Sequence, residues 1–164
     1  MKYQGIKERS SFSEELMRVY MRYIFNAPFE KANPSWLKGM SIKGGDLELD
    51  GYNELLGIAF ECDGPHHYDV VYIMKQYRLT RQQALDRLRV QKENDRIKNE
   101  ECARRGITLI RLRLDKVDYS KFQSSIESEY EKLSKQTCPH RKTLDYKNAV
   151  RFIRSGFLGL NFYI

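Results

Sequence analysis

The sequence predicts an α/β fold in which helices flank a small mixed β-sheet. The elements read from hydrophobic periodicity run in the order helix, hairpin, long helix, strand and helix. That order favours helices covering one sheet. The chain has 164 residues, of which 41% are hydrophobic and 31% charged, as is typical of a globular protein with a buried core. We therefore expect residues 1–164 to form a single domain.

The first predicted helix spans residues 12–26. Ser11 and Glu14 have capping-box spacing, in which the serine oxygen accepts a first-turn N–H and the glutamate reaches back. Apolar residues then recur at helical intervals: Leu16, Val19, Tyr20, Tyr23 and Ile24. Asn26 and Pro28 indicate where the helix ends.

A β-hairpin is predicted next. Residues 28–45 show no regular period and are expected to be irregular. Segments 47–52 and 56–62 alternate apolar with polar residues and are separated by a short polar turn. Gly64 and Pro65 end the second strand.

A long basic helix and a strand follow. Thr80 and Gln83 form a second capping-box pattern, and Gly106 stands where a glycine C-cap would lie, so we predict a helix over 80–105. Residues 107–114 are rich in β-forming residues and predict a strand.

The C-terminal third has one clear helix and an ambiguous tail. The helix over 120–133 rests on apolar residues at helical spacing: Phe122, Ile126, Tyr130 and Leu133. The tail over 144–164 is aromatic and apolar. It either folds back as a short helix and an extended piece, or contacts a partner.

The positive charge of the chain is concentrated in one stretch. Lys and Arg total 29 against 22 Asp and Glu, a formal charge of +7. Residues 75–113 hold twelve basic and five acidic residues, which accounts for the whole excess. Such a block favours a polyanionic partner, because each neutralised phosphate releases counterions. The alternative is an ordinary solvated helix face.

Composition argues against several classes of protein and site. No apolar run approaches the roughly 20 residues that a membrane-spanning helix needs, so no membrane partner is expected. Cys62, Cys102 and Cys138 are odd in number and widely spaced, which favours a reducing compartment, cytoplasmic or nuclear. Cys138-Pro139-His140 lacks companion ligands at zinc spacing, so structural zinc is not expected.

The predicted hairpin carries acidic residues at positions where strands seldom have them. Pairing its strands can bring Asp50 close to Glu61, and Asp63 shares a strand face with Glu61. Carboxylates among apolar neighbours are costly unless a cation compensates them, and Mg²⁺ is commonly held by one or two protein carboxylates. The alternative is a solvated acidic hairpin face.

Short motifs accompany these acids. They are Pro34-x-Trp36-Leu37, Gly64 with His67-Tyr68, Asp95-Arg96-Ile97-Lys98, and Gly106 before an apolar strand. Their order and spacing resemble the restriction-endonuclease-like, or PD-(D/E)XK, superfamily. The closest likeness is to the branch of very-short-patch-repair endonucleases and related viral and eukaryotic proteins. The resemblance implies a restriction-endonuclease-like core over about 11–114 and a C-terminal extension over 115–164.

The resemblance also implies an activity. It is that of a Mg²⁺- or Mn²⁺-dependent endonuclease, a phosphodiester hydrolase acting on nucleic acid, with DNA favoured over RNA. Asp50 and Glu61 would be metal ligands, joined by a glutamate of the first helix, either Glu14 or its neighbour Glu15. His67 matches a histidine of the superfamily that would contact the scissile phosphate or a metal-bound water.

One departure from the superfamily concerns the residue two positions after the strand-two glutamate. The superfamily has Lys or Gln there, and this chain has Asp63. Asp63 is a candidate additional metal ligand, while Lys98 or Lys92 of the long helix is a candidate for the missing positive charge. Alternatively, the site is weakened or inactive. The spacing of Asp95 and Lys98 favours a simple ion pair for Asp95.

The candidate nucleic-acid-binding residues are Lys92, Arg104, Arg105, Arg111 and Arg113. Contacts of this kind position the phosphate backbone without reading its sequence. Three alternatives stay open: an RNA endonuclease with the same acidic centre, a nucleic-acid-binding module without catalysis, and a protein-interaction domain docking through residues 157–164. A homodimer is compatible with each of them.

Overall fold

The computed structural model describes residues 11–139 and 142–155 of the chain. Its helices are α1 (Phe12–Phe25), α2 (Val70–Tyr77), α3 (Arg81–Arg104), α4 (Phe122–Ser134) and α5 (Tyr146–Arg154). Its strands are β1 (Glu30–Ala32), β2 (Leu49–Asn53), β3 (Ile58–Asp63) and β4 (Thr108–Arg113). No helix in the described ranges combines the length and the apolar character needed to cross a membrane.

The strands form one mixed four-stranded sheet in the order β1-β2-β3-β4. The first three strands pair antiparallel, whereas β3 and β4 pair parallel. A parallel pair needs a crossover connection, which α2 and α3 supply between β3 and β4. The fold is therefore the mixed α/β arrangement that the sequence predicts.

Helices cover both faces of the sheet. On one face, α1, α4 and α5 enclose a core that includes Tyr20, Phe60 and Phe122. On the other, the C-terminal half of α3 packs over a smaller cluster that includes Ala59 and Cys102. All six residues of β3 are consequently buried. The acidic residues of β3 therefore lie inside the protein.

A third apolar cluster lies between α2 and the N-terminal half of α3. It consists of Ile73, Ala84 and Leu88. We call residues 69–92, which include α2 and this half of α3, the α2–α3 arm. The arm begins directly after a 3-10 turn, Pro65–His67, that follows β3.

Most of the predicted elements are confirmed, with ends shifted by no more than two residues. Both N-caps are present: Ser11 accepts from the Glu14 amide, and Thr80 and Gln83 form a complete capping box. The tail contains the predicted short helix, α5, whereas its last nine residues, 156–164, lie outside the described residues. His140 of the rejected zinc motif lies outside them as well.

Two elements escape the sequence prediction. The segment expected to be irregular, 28–45, contains β1, whose three residues are too few to show alternation. The helix α2 is absent from the prediction, although Asp69 caps it and Val70, Ile73 and Met74 have helical spacing.

Candidate active site

Asp50 and Glu61 lie beside each other on paired strands. The register pairs Gly51 with Phe60, which brings the preceding and following residues, Asp50 and Glu61, opposite one another. The amide of Asp50 donates to Glu61 Oε1 at 3.3 Å, and Asp50 Oδ2 accepts from the amide of Cys62 at 2.9 Å. Each carboxylate is thus anchored to the backbone of the other strand.

Gly51 allows β2 to lie this close to its neighbour. A Cβ atom built on Gly51 would come within 2.0 Å of the Phe60 ring, which is fully buried. Because that ring is packed into the core, any side chain at position 51 would displace β2. The glycine therefore helps to hold Asp50 in place.

Lys98 brings a positive charge to Glu61 from the other side of the site. Its Nζ contacts Glu61 Oε2 and donates to the carbonyl of Glu48 at 3.3 Å. Both side chains are almost completely buried. Burial raises the pKa of Glu61 to about 7, a shift that the charges of Lys98 and Arg111 oppose.

A second group of charges lies next to this pair. Arg111 of β4 donates from Nη1 to Asp63 Oδ1 at 2.7 Å, and the same nitrogen lies 3.3 Å from Asp95 Oδ1. His67 Nδ1 is 2.8 Å from Asp95 Oδ2 and 3.6 Å from Asp63 Oδ1. Asp95, predicted to pair with Lys98, lies 3.8 Å from its Nζ, so His67 and Arg111 are its nearer partners.

Asp63, His67 and Asp95 bring three ligand atoms within 4.8 Å of one another, the only such group among the described residues. Glu14, Asp50 and Glu61 do not meet this criterion together. The guanidinium of Arg111 contacts two members of the Asp63 group and already supplies it with a positive charge.

The pKa values of the two aspartates in this group shift in opposite directions. Burial raises the pKa of Asp63, although Arg111 opposes the shift. Burial acts on Asp95 in the same way, but the hydrogen bond from His67 and the charge of Arg111 hold its pKa below the ordinary value. Asp95 is therefore the more firmly ionised of the two and suits an orienting role for His67.

Glu14 lies on the Asp50 side of the site. Its Oε2 atom is buried and has no hydrogen-bond partner among the described residues. Burial, together with the charge of Asp50, raises its pKa. A buried carboxylate oxygen without a partner is costly, and a bound cation would satisfy it.

Arg18 supports the site and was not identified from sequence. It is only 3% exposed, and it donates to the carbonyls of Phe29 and Asp50 at 2.9 and 2.6 Å. Its third contact is an ion pair with Glu15. Arg18 thereby ties β2 to α1 at Asp50. The one feature of the sequence that could have identified Arg18 is its position beside the apolar stripe of α1.

Carboxylates outnumber cations around Asp50 and Glu61. Five carboxylates interact there, and the basic side chains that interact with them are those of Lys31, Lys98, Arg111 and His67. The carboxylates are those of Glu14, Asp50, Glu61, Asp63 and Asp95. Oxygen donors with an excess of negative charge match the preference of hard divalent cations.

The candidate nucleic-acid-binding residues occupy different environments. Arg104 and Arg105 both pair with Glu101, and Arg105 also stacks on Trp36. Arg113 pairs with Asp115 and lies over the ring of Tyr68.

The other two candidates contrast sharply. Arg111, predicted to contact nucleic acid, is instead directed into the acidic site, with only 17% of its side chain exposed. Lys92 is exposed and has no ion-pair partner among the described residues.

Comparisons with known proteins add one relative. Over 109 residues the chain is 29% identical to "Uncharacterized protein 033L" of Invertebrate iridescent virus 3. The matched region is 65% of this chain and 50% of that protein, so the chain spans about half the length of the relative. No family model and no solved structure matches the chain.

Proposed function

We propose that the protein is a divalent-metal-dependent endonuclease that hydrolyses phosphodiester bonds, with DNA as the favoured substrate. The observation that carries the proposal is the pairing of Asp50 and Glu61 on adjacent strands, with Lys98 against Glu61. Acids on a hairpin and a lysine beside them are what the resemblance to restriction-endonuclease-like proteins implies. We extend the proposal to the core: α1, β2, β3, α3 and β4 correspond to its elements in order.

Asp50, Glu61 and Glu14 would hold a Mg²⁺ or Mn²⁺ ion. The fit rests on their oxygen donors, on the excess of negative charge and on the unpartnered Glu14 oxygen. When bound, the cation supplies Lewis-acid polarisation of the phosphodiester and lowers the pKa of a coordinated water. Glu61 must then be ionised, which its contact with Lys98 favours.

Lys98 and His67 would supply two functions besides those of the cation, namely charge stabilisation and proton transfer. Lys98 supplies from α3 the positive charge that the superfamily has two residues after the glutamate, where this chain has Asp63. That charge stabilises negative charge developing on the phosphate. Asp95 orients the imidazole of His67 through Nδ1, leaving Nε2 to accept a proton and, once protonated, to donate to a phosphate oxygen.

The test is cleavage by the wild type and by Asp50→Asn and Glu61→Gln variants. Substrates are linear, mismatched, branched and single-stranded DNA, with RNA, each in Mg²⁺ and in Mn²⁺. We expect each variant to lose at least about a hundredfold in rate, because each removes a ligand charge. Glu54→Gln, an exposed acid in the same hairpin, is the control and should cut normally. Full activity of both site variants would refute the proposal, and cleavage of RNA alone would change the substrate.

A second candidate is a nucleic-acid-binding module without catalysis. It is favoured by Arg111, whose guanidinium already compensates Asp63 and Asp95. Titration calorimetry with Mn²⁺ separates the two functions. A nuclease should show binding heat that an Asp50→Asn/Glu61→Gln double variant loses, and a simple binding module should show none.

A further inference from the structure

The α2–α3 arm carries exposed cations that the protein itself does not neutralise. Residues 69–92 contain six basic residues and two acidic ones. All six are exposed, and none forms an ion pair with a described acidic group. They are Lys75, Arg78, Arg81, Arg87, Arg89 and Lys92. Six charges without an ion-pair partner on one segment repel each other, which favours an anionic partner.

Three of these cations form a stripe along α3. Arg81, Arg89 and Lys92 lie on one side of the helix, adjacent to the stripe of buried residues that includes Ala84 and Leu88. The stripe covers about 16 Å of helix axis, the rise of roughly five base pairs of duplex DNA. Its length therefore matches a short run of backbone phosphates.

The stripe leads to the candidate active site. Lys92 precedes Asp95 by a single turn of α3, so about 4.5 Å of helix rise separates them. Both helices of the arm also contact the site. The N-terminus of α2 follows the turn that holds His67, and Gln91 of α3 places its Nε2 atom 3.3 Å from His67 Nδ1. A polyanion lying along the stripe would continue into the carboxylate cluster.

We infer that the α2–α3 arm is the surface that binds the phosphate backbone of DNA and guides it to the site of Asp50 and Glu61. The inference deepens the proposed nuclease function and rests on it for the identity of the polyanion. It transfers the nucleic-acid interface from Arg104, Arg105, Arg111 and Arg113 to the arm. Those four arginines already have carboxylate partners.

The arm also exposes apolar side chains, which raises a membrane surface as the competing partner. Val71 is 57% exposed and Leu85 39%. They lie on different helices, and Leu85 falls within the basic stripe of α3. A membrane-binding helix needs a separate apolar face opposite its charges. The direction of the stripe towards the acidic site therefore favours nucleic acid.

The test compares two triple variants that remove the same charge. The arm variant is Arg81→Gln/Arg89→Gln/Lys92→Gln, and the control is Arg96→Gln/Lys116→Gln/Lys132→Gln. Glutamine preserves helix propensity. Binding of a labelled 20-base-pair DNA is measured by fluorescence anisotropy in EDTA, so that cleavage does not interfere, at several salt concentrations. Circular dichroism verifies that both variants are folded.

We expect the arm variant to lose at least about tenfold in affinity near 150 mM salt, and its slope of log K against log salt to fall by about 2.7. The control slope should change by less than about 1. Equal losses in the two variants, or unchanged binding by the arm variant, would overturn the inference. So would a larger loss in an Arg104→Gln/Arg105→Gln variant.

Flotation with phosphatidylserine-containing vesicles examines the competing partner. Loss of vesicle binding by the arm variant, with DNA binding unchanged, would also refute the inference. Failure of this inference can be distinguished from failure of the proposed nuclease function. Cleavage that depends on Asp50 but not on the arm refutes only the inference, whereas arm-dependent DNA binding without any cleavage refutes only the nuclease.

Discussion

The two halves of α3 have different electrostatic characters. Residues 81–92 contain four basic residues and one acidic, and residues 93–104 contain three basic and four acidic. In the second half Arg96 pairs with Glu93 and Glu100, and Arg104 pairs with Glu101. In the first half no cation has a described ion-pair partner. A basic helix therefore exposes its charge to a partner only where its own acids do not neutralise it.

The inner faces of the two halves differ as well. In the first half Ala84 and Leu88 pack on α2 in a small apolar cluster. In the second half Asp95 and Lys98 lie against the charges of β3 and β4. One continuous helix thus joins an exposed basic surface to a buried acidic site. The following predictions test this division, beginning with the largest expected effect.

Removing the buried lysine should have the largest effect. Lys98→Met leaves Glu61 buried without its cation, and breaking a buried ion pair costs about 3–5 kcal/mol of unfolding free energy. Lys92→Met, in the exposed half, should change it by less than about 0.5 kcal/mol. Urea denaturation at pH 8 measures both. Equal costs would mean that the two lysines are not in different environments.

Removing an apolar side chain from the α2–α3 arm should lower the unfolding free energy by a smaller amount. Leu88→Ala removes a buried side chain from the cluster with Ile73, at about 2–3 kcal/mol. Leu85→Ala, on an exposed position of the same half, is the control. Hydrogen exchange should accelerate in α2 for the first variant alone, and DNA affinity should fall with it. Unchanged exchange would argue that the arm does not depend on this cluster.

The buried half should also make stability depend on pH. The pKa of Glu61 is raised to about 7, so its contribution is fully present below its ordinary pKa and is lost as pH rises through about 7. Between pH 5 and 8 in EDTA, unfolding free energy should fall by about 2 kcal/mol more in the wild type than in Glu61→Gln.

Other titrating groups are present in both proteins, and the difference between the two profiles isolates Glu61. The raised pKa values of Glu14 and Asp63 act in the same direction as that of Glu61. Burial lowers the pKa of His66, which acts in the opposite direction, but it does so equally in both proteins. The lowered pKa of Asp95 affects stability only below about pH 4. A wild type and Glu61→Gln variant with parallel pH profiles would contradict the ionisation assigned to Glu61.

The smallest effect should come from freeing the paired cations. Glu93→Gln/Glu101→Gln removes the shared partner of Arg104 and Arg105 and one of the two partners of Arg96, which keeps Glu100. The second half should then resemble the first more closely. We expect DNA affinity to rise about two- to fivefold, with a steeper salt dependence. Anisotropy titration measures both. Unchanged binding would show that ion pairing does not govern which cations reach DNA.

Local patterns identified much of the fold. The capping signals at Ser11 and Thr80 mark true helix starts because a cap is made by residues three apart in sequence. The alternation of apolar and polar residues located the hairpin because it also depends on residues close together in the chain. Pairing of the two strands then placed Asp50 beside Glu61. The helix α2 had comparable signals and was missed between two turn-forming segments, while β1 carries too few residues for any pattern.

The sequence by itself determined the element order, the basic stretch and the two carboxylates, because each depends on neighbours in the chain or on one short turn. The folded arrangement decided which charges meet. His67 contacts Asp95, which is 28 residues away in the sequence. Lys98 contacts Glu61 at a separation of 37 residues, and Arg111 contacts Asp63 at a separation of 48. Such partners depend on how α3 packs over the sheet, and burial there strengthens interactions between charges that water would otherwise screen.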